Sequence, residues 1–110
     1  MAESSVADEF NLCPRFTRTF QILGKKWNGL IIEVLLHERN QRFKDLANHV
    51  PDCSDRVLCE RLRELQDEGI VSRMTRPGES RVIYSLTGEG RALAPVMQAV
   101  HQWSDKYCQQ

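Results

Sequence analysis

The sequence lacks the features that would place a protein in a membrane or send it for secretion. None of its apolar runs approaches the roughly 20 residues that a membrane-spanning helix needs. Its first dozen residues contain no basic segment followed by an apolar one, as a signal peptide would. We therefore expect a cytoplasmic protein.

The sequence also lacks the motifs of common enzymes and metal proteins. It contains no glycine-rich phosphate loop, no paired acidic motif and no Ser-His-Asp pattern, so we expect no catalytic activity. The four cysteines include no CxxC pair, and a cytosolic chain does not use cysteines as a disulfide framework. His37, His49 and His101 fall in different predicted elements, so we expect neither a metal site nor a cofactor.

Composition indicates one ordinary globular domain. The 110 residues are 41% apolar and 27% charged. A chain of this length builds only a thin core, which a partner subunit would supplement. The formal net charge of zero counts against a nonspecific nucleic-acid binder. Residues 1–11 are polar and acidic, so we predict a flexible arm there and a single domain over residues 12–110.

The most informative stretch is CSDRVLCERLRELQDEGIVSR, residues 53–73. Ser54 is a good N-cap, and Gly69 followed by Ile70 and Val71 ends a helix and starts a strand. One side of this helix is an apolar stripe at i, i+4 and i+7: Leu58, Leu62, Leu65. The opposite side is charged. A helix over residues 54–68 with a free charged face, running into a strand, is typical of the recognition helix of a winged helix-turn-helix.

The flanking segments fit that architecture. Before the recognition helix, patterns predict helices over residues 14–23, 26–37 and 43–50, and Gln41–Phe43 has the pattern of a very short strand. The second helix keeps its periodicity across Asn28-Gly29, so we predict no turn there. After it, two strands around a Pro/Gly tip form a wing at residues 71–86. The fold class is therefore α+β and mainly helical.

A long last helix, residues 88–107, completes the chain, with a kink expected at Pro95. Its apolar stripe is longer than a winged-helix core requires. The surplus favours a partner subunit packed against it. The alternative is a helix that folds back onto its own domain.

Several blocks of the sequence together carry a family resemblance: LGKKWNGLIIEVLL, RFKDL, VPDCSDRVLCERLRELQDEGIV, RVIYSLTGEG and HQWSD. Over residues 12–107 the chain resembles the HxlR-type transcriptional regulators, relatives of the MarR winged-helix group. The resemblance implies a homodimer on a pseudo-palindromic double-stranded DNA operator. It implies pairing through the first and last helices, which places these side chains in the interface: Phe16, Phe20, Val96, Val100, Trp103, Tyr107. Many such regulators are repressors.

Candidate DNA contacts follow from the two predicted elements. On the recognition helix they are Ser54, Arg56, Val57, Glu60, Arg61. Arginine can read guanine, glutamate can accept from cytosine, and a helix N-terminus favours phosphate. The alternative is a solvated helix held by i, i+4 ion pairs such as Arg56–Glu60. At the wing tip the candidates are Arg76, Ser80 and Arg81, and Lys44 is a weaker phosphate candidate together with Lys25, Lys26 and Arg42.

Cys13 precedes Pro14 at the predicted start of the first helix. The helix N-terminus, with Arg15 and Arg18 nearby, favours the nucleophilic thiolate there. The alternative is an inert, half-buried cysteine. The resemblance identifies Cys13 with a cysteine that senses quinones, diamide or aldehydes in several family members. It also matches Cys108 to a partner cysteine, which implies a disulfide between Cys13 of one subunit and Cys108 of the other.

Two further cysteines are weighed less heavily. Cys53 is a second candidate partner for Cys13, and Cys59, beside Leu58, is expected in the core. The leading hypothesis is thus a thiol-based repressor induced by a small electrophile or oxidant. One alternative is a winged-helix regulator that responds to a small ligand or metal in the dimer cleft. Another is a protein-interaction module without DNA binding.

Overall fold

The structure, a computed structural model, describes residues 9–108, which form six helices and a two-stranded antiparallel sheet. Most of the predicted flexible arm lies outside the described residues. The elements in chain order are α1 Pro14–Leu23, α2 Asn28–His37, α3 Phe43–His49, α4 Asp55–Asp67, β1 Val71–Thr75, β2 Val82–Leu86, α5 Gly88–Arg91 and α6 Ala94–Tyr107. The predicted fold class, α+β and mainly helical, is confirmed. Within residues 9–108 no helix combines the length and apolarity needed to cross a membrane.

The first helix begins and ends where local signals predict. Pro14 opens α1 with Cys13 as its N-cap, and Gly24 follows its last residue. A Cβ on Gly24 would lie 2.6 Å from the Phe20 carbonyl oxygen, so glycine is required by this close approach. α2 runs across the Asn28-Gly29 pair, as predicted, but it starts at Asn28 and not at residue 26. The reason is Trp27, whose left-handed φ of 81° reverses the chain before the helix.

One continuous core joins the helices to the hairpin. Its fully buried centre combines residues of α2, α3 and α4: Ile31, Ile32, Leu35, Leu46, Leu58, Leu62, Leu65. The strands add Val71, Tyr84 and Leu86. The predicted leucine stripe of residues 58–65 is therefore the inner face of α4, which holds that helix against the domain.

The strands pair in register from Val71 opposite Leu86 to Thr75 opposite Val82. The predicted short strand before α3 is reduced to one bridge, between Gln41 and Tyr84. Two backbone hydrogen bonds make this bridge, with N···O distances of 2.9 and 2.7 Å. The base of the hairpin is thereby attached to the segment between α2 and α3.

The predicted helix over residues 88–107 is divided in two, and the break at residues 92–93 lies just before Pro95, the position of the predicted kink. The chain forms a short α5 and a separate α6, with Pro95 in the first turn of α6. Proline has no N–H to continue a helix, but it is well suited to a first turn. Gly90 is buried in α5, where a Cβ would lie 2.3 Å from the Ile70 carbonyl oxygen. Glycine at this position lets α5 pack directly on the backbone that leads into β1.

Candidate nucleic-acid interface

The segment α3–turn–α4 forms the helix-turn-helix. Ser54 caps α4, because its hydroxyl accepts a hydrogen bond from the Val57 N–H at 3.2 Å. This bond uses the hydroxyl oxygen and leaves its proton free to donate. At the start of α3, the Arg42 N–H donates to the Asp45 carboxylate at 3.1 Å. Both helix starts are thus fixed by side chains close to them in sequence.

The outer face of α4 is charged and free. Arg56 is 83% exposed, and its guanidinium lies 3.7 Å from the Glu60 carboxylate, one turn along. Surface pairs of this kind contribute little, so a DNA ligand could replace the partner. Arg63 is exposed on the same face and was not among the predicted contacts. Arg63 follows Arg56 by about two helical turns, so the helical spacing alone could have placed it on this face.

Two predicted contacts do not belong to this face. Val57 is half-buried and packs against the core. The Arg61 side chain is only 16% exposed, and its Nε–H donates to the Lys26 carbonyl at 3.0 Å. The structure therefore places Arg61 against the turn that joins α1 to α2, although the Glu60 carboxylate lies near both guanidiniums, 3.9 Å from Arg61 and 3.7 Å from Arg56. Val57 and Arg61 each directly precede a leucine of the buried stripe, so both lie on the flank of α4 that faces the domain.

Carboxylates on the same inner flank join α4 to α1. Glu68 forms a hydrogen-bonded ion pair with Arg18, and Glu64 accepts a hydrogen bond from Lys25 Nζ at 2.8 Å. Lys25, a weak phosphate candidate, is therefore engaged within the protein. Together with Arg61, these pairs connect the helix that follows Cys13 to the helix that carries Arg56.

The wing tip extends into solvent. Arg76, Gly78, Ser80 and Arg81 are all exposed. The Glu79 N–H donates to the Arg76 carbonyl at 3.0 Å, and Gly78 has a left-handed φ of 79°, so the tip is a tight turn. Both predicted arginines flank it.

Lys26, Arg42 and Lys44 are also exposed. The Lys26 ammonium lies 5.2 Å from the centre of the Trp27 ring. Arg42 lies 3.6 Å from the Asp45 carboxylate. Among residues 9–108 the structure gives Lys44 no such partner.

The four cysteines are free thiols in contrasting positions. Cys13 is exposed at the N-cap of α1, and Cys108 is exposed just after α6. The prediction that Cys59 lies in the core is wrong, since Cys59 is exposed on α4. Cys53 is the buried one. Burial raises the pKa of its thiol, and the charges of Arg61 and Lys26 offset that effect only in part.

α1 and α6 present large apolar side chains to solvent. Neither helix contains a buried residue. All six predicted interface residues are between 44% and 59% exposed: Phe16, Phe20, Val96, Val100, Trp103, Tyr107. The aromatic rings are paired: the centres of the two phenylalanine rings on α1 lie 5.0 Å apart, and those of Trp103 and Tyr107 on α6 lie 5.4 Å apart. An apolar surface of this kind on two helices is typical of an interface.

Two of the histidines come together although they lie in different elements, so the prediction of no metal site is not supported by their separation in the sequence. The imidazoles of His37 and His101 both contact the Glu33 carboxylate, which brings α2 and α6 together. Burial acts to raise the pKa of Glu33, but hydrogen bonds from His101 and His37 and the charges of those rings hold the pKa below its ordinary value. His49 takes no part in this cluster.

Comparisons with known proteins identify the family. The HxlR-like helix-turn-helix family model matches residues 22–110. The HTH-type transcriptional regulator YodB of Bacillus subtilis (strain 168) is 42% identical over 99 residues, which cover 89% of this chain and 88% of YodB. The uncharacterized HTH-type regulator YvaP of the same organism is 41% identical over 101 residues, covering 91% of this chain and 93% of YvaP.

Solved structures lead to the same family. Reduced YodB from B. subtilis matches with a TM-score of 0.79 at 42% identity, covering 90% of this chain and 97% of that chain. The redox regulator HypR in its oxidized form matches with a TM-score of 0.79 at 30% identity, covering 89% of this chain and 100% of HypR. YodB is also known in diamide-treated and quinone-bound forms. This chain therefore belongs to the HxlR family, and it is a winged helix-turn-helix transcriptional regulator and not an enzyme.

Proposed function

We propose that the protein is a homodimeric repressor that acts in the cytoplasm and releases double-stranded DNA when a cysteine thiol reacts with an electrophile or oxidant. The observation that carries this proposal is the distribution of charge on α4. One flank of that helix is bonded to its own domain, and the opposite face is left free. Membership in a family of HTH transcriptional regulators makes DNA the expected ligand of the free face.

The free face offers the groups that base and phosphate recognition need. The Arg56 guanidinium can donate two parallel hydrogen bonds to guanine, and Glu60 can accept from the amino group of cytosine. The Ser54 hydroxyl and the N-terminus of α4 can bind a phosphate. At the wing, Arg81 and Arg76 can contact phosphate or the minor groove. We assign Arg61 and Val57 to holding α4 in place.

In a symmetrical dimer, two copies of these groups would contact the two halves of a pseudo-palindromic operator. If α1 and α6 pair with the same helices of a second subunit, their exposed rings become buried. The two recognition helices could then enter successive major grooves, about 34–36 Å apart. The length of apolar helix left uncovered on α1 and α6 supports this arrangement.

The exposed Cys13 is the proposed sensor. A quinone would react by addition: the Cys13 sulfur forms a bond to a ring carbon, the quinone takes up the electron pair and a proton, and a hydroquinone thioether results. Diamide would oxidise two thiols to a disulfide, while its N=N bond takes up two electrons and two protons to become a hydrazine. Cys108 of the partner subunit is the proposed second thiol. The quinone-bound and diamide-treated forms of YodB, a relative at 42% identity, support both routes.

The contacts between α1 and α4 provide a route from thiol to DNA. A displacement of α1 acts on α4 through the Arg18–Glu68 ion pair, next to the turn after α1 that the Lys25–Glu64 pair and Arg61 attach to α4. It also acts on the partner subunit, because α1 carries part of the proposed interface. A differential affinity of a few kcal/mol between the two states would be enough for a switch.

The test is fluorescence anisotropy with DNA from the gene's own upstream region. Reduced protein should bind, with an affinity that falls steeply as salt is raised. Arg56→Ala should weaken binding by roughly 5- to 150-fold, as loss of a bidentate base contact does. Arg56→Lys keeps the charge and separates phosphate attraction from guanine recognition.

Diamide treatment then tests the sensor. Wild type should release DNA, Cys13→Ser should retain it, and the matched variant Cys59→Ser, which removes another exposed thiol, should respond like wild type. If oxidised wild type retained DNA, the thiol switch would be refuted, but the proposal that the protein is a DNA-binding regulator would stand. If the protein showed no salt-dependent binding to any duplex in a library of operator-length DNA, the proposal that it binds DNA would be refuted.

A further inference from the structure

A cluster of three metal-ligating side chains lies apart from the thiols and from the free face of α4. Glu33 and His37 are one turn apart on α2, so they share a face of that helix. His101 reaches the same carboxylate from α6. The distance from His37 Nε2 to Glu33 Oε2 is 2.9 Å, and His101 Nε2 is hydrogen-bonded to that same oxygen. One potential ligand atom from each residue lies within 4.8 Å of the other two.

We propose that Glu33, His37 and His101 bind a divalent transition-metal ion, and that zinc fits the site. Two imidazoles and one carboxylate are a donor set that zinc accepts, with a fourth position left for water or another ligand. Magnesium and calcium require oxygen ligands, which two imidazoles do not supply. Donor atoms around tetrahedral zinc lie roughly 3.3–3.5 Å apart, so small side-chain rotations suffice to close the cluster.

The site combines a positioned anion with ligands that can move. Glu33 is the most enclosed member, with its side chain 22% exposed, whereas His37 and His101 are 69% and 59% exposed. The exposed rings can rotate to bind the ion without repacking the core. The hydrogen bonds that Glu33 makes with the two exposed rings are partly open to solvent, so they are weak competitors for the ion.

The position of the cluster gives the ion a structural consequence. α6 has no buried residue, and it contacts α2 across an open apolar groove of about 410 Å³ whose lining includes Leu30, Met97 and Val100. Glu33 and His101 lie on the same groove. A bound ion would join the two helices by coordination bonds and fix the direction of α6. If α6 is the dimer helix of the proposed function, the ion would also fix the relation between the subunits.

The test is a competition titration of the reduced, full-length protein with zinc and a chromogenic chelator. The expected result is one zinc per protomer. His101→Ala and His37→Ala should each weaken binding by at least about 100-fold, since even outer-shell changes cost roughly 10- to 100-fold in affinity. His49→Ala removes a histidine outside the cluster and should bind like wild type. Circular dichroism checks that each variant is folded.

Cobalt distinguishes this cluster from a site made by the cysteines. A cobalt complex of histidine and carboxylate shows no sulfur-to-metal charge-transfer band, whereas a thiolate complex does. Failure to bind zinc, equal affinity in the two histidine variants and wild type, or a charge-transfer band lost in Cys13→Ser would each overturn the proposal. None of these outcomes depends on DNA, so the metal site and the proposed function can fail separately.

Discussion

Substitutions of two arginines on α4 should have different effects, one on the stability of the fold and the other on the affinity for DNA. The Arg61 side chain is 16% exposed, and its hydrogen bond to the Lys26 carbonyl is 3.0 Å long. Hydrogen bonds to charged groups contribute roughly 1.5–3 kcal/mol, and this one is made by a guanidinium that is mostly enclosed by its own domain. Arg61→Ala should therefore cost about 2 kcal/mol of unfolding free energy.

Arg56 should behave in the opposite way. Its guanidinium is 83% exposed and pairs with Glu60 at 3.7 Å, one helical turn away. Pairs with this spacing contribute no more than about 0.5 kcal/mol, so Arg56→Ala should leave the folded state nearly as stable as wild type. The same change should remove a base or phosphate contact from the free face. Its effect should appear in binding and not in unfolding.

Urea unfolding and DNA anisotropy on the same preparations measure both quantities. Protomer concentration must be equal in all samples, because association contributes to the stability of a dimer. For a domain of this size, about 2 kcal/mol lowers the Tm by roughly 10 °C, which is easily resolved. Arg61→Lys keeps the charge but loses the planar guanidinium, so it should recover only part of the stability. Wild-type stability in Arg61→Ala, combined with a loss of DNA affinity as large as that of Arg56→Ala, would refute the assignment of Arg61 to the inner flank.

Three further predictions follow from the packing and the pKa shifts. Gly90→Ala should cost about 2 kcal/mol or more in urea unfolding, because a Cβ there would lie 2.3 Å from a backbone carbonyl, whereas Gly88→Ala, which has no atom within 4 Å of the new Cβ, should be tolerated. The lowered pKa of Glu33 means that its contribution to stability is complete above its ordinary value of 4.5 and is lost as the pH falls below it. Glu33→Gln should flatten that part of the stability–pH profile, and an unchanged profile would contradict the role of its histidine partners. Cys53, whose thiol has a raised pKa and is buried, should react with a thiol reagent much more slowly than the exposed Cys13, as mass spectrometry of modified peptides would show.

Local signals in the sequence were sufficient to predict most helices and both strands. Ser54 before the leucine stripe, Pro14 at a helix start and Gly24 at its end each act through neighbours a few residues away. Such signals operate before any tertiary contact exists. The start of α2 was misplaced because the left-handed Trp27 is bulky, and no propensity favours that conformation.

Predictions failed where the answer depends on distant parts of the chain. Nothing local in the sequence distinguishes Gly90 from a glycine that a helix tolerates, since its contact with the Ile70 backbone is visible only after folding. The cluster of Glu33 and His101 joins residues 68 positions apart, although the spacing of Glu33 and His37 could be read directly. Cys59 is a different case. It follows the buried Leu58, and a step of about 100° along a helix turns the next side chain away from the core.

The contacts between α1 and α4 differ in strength, and this difference bears on how a reaction at Cys13 would act on DNA. The Arg18–Glu68 pair lies on α1 itself, and with the Arg18 side chain 60% exposed it is worth about 1 kcal/mol at most, whereas the Lys25–Glu64 pair lies in the turn after α1. The turn after α1 is also held to α4 by Arg61, whose side chain is 16% exposed and whose Nε–H donates to the Lys26 carbonyl at 3.0 Å. The turn should therefore stay fixed to α4 while α1, ten residues and about 15 Å long, moves at its Cys13 end. Because that end belongs to the proposed interface, the displacement would change the spacing of two intact recognition helices and would leave the fold of each one unaltered.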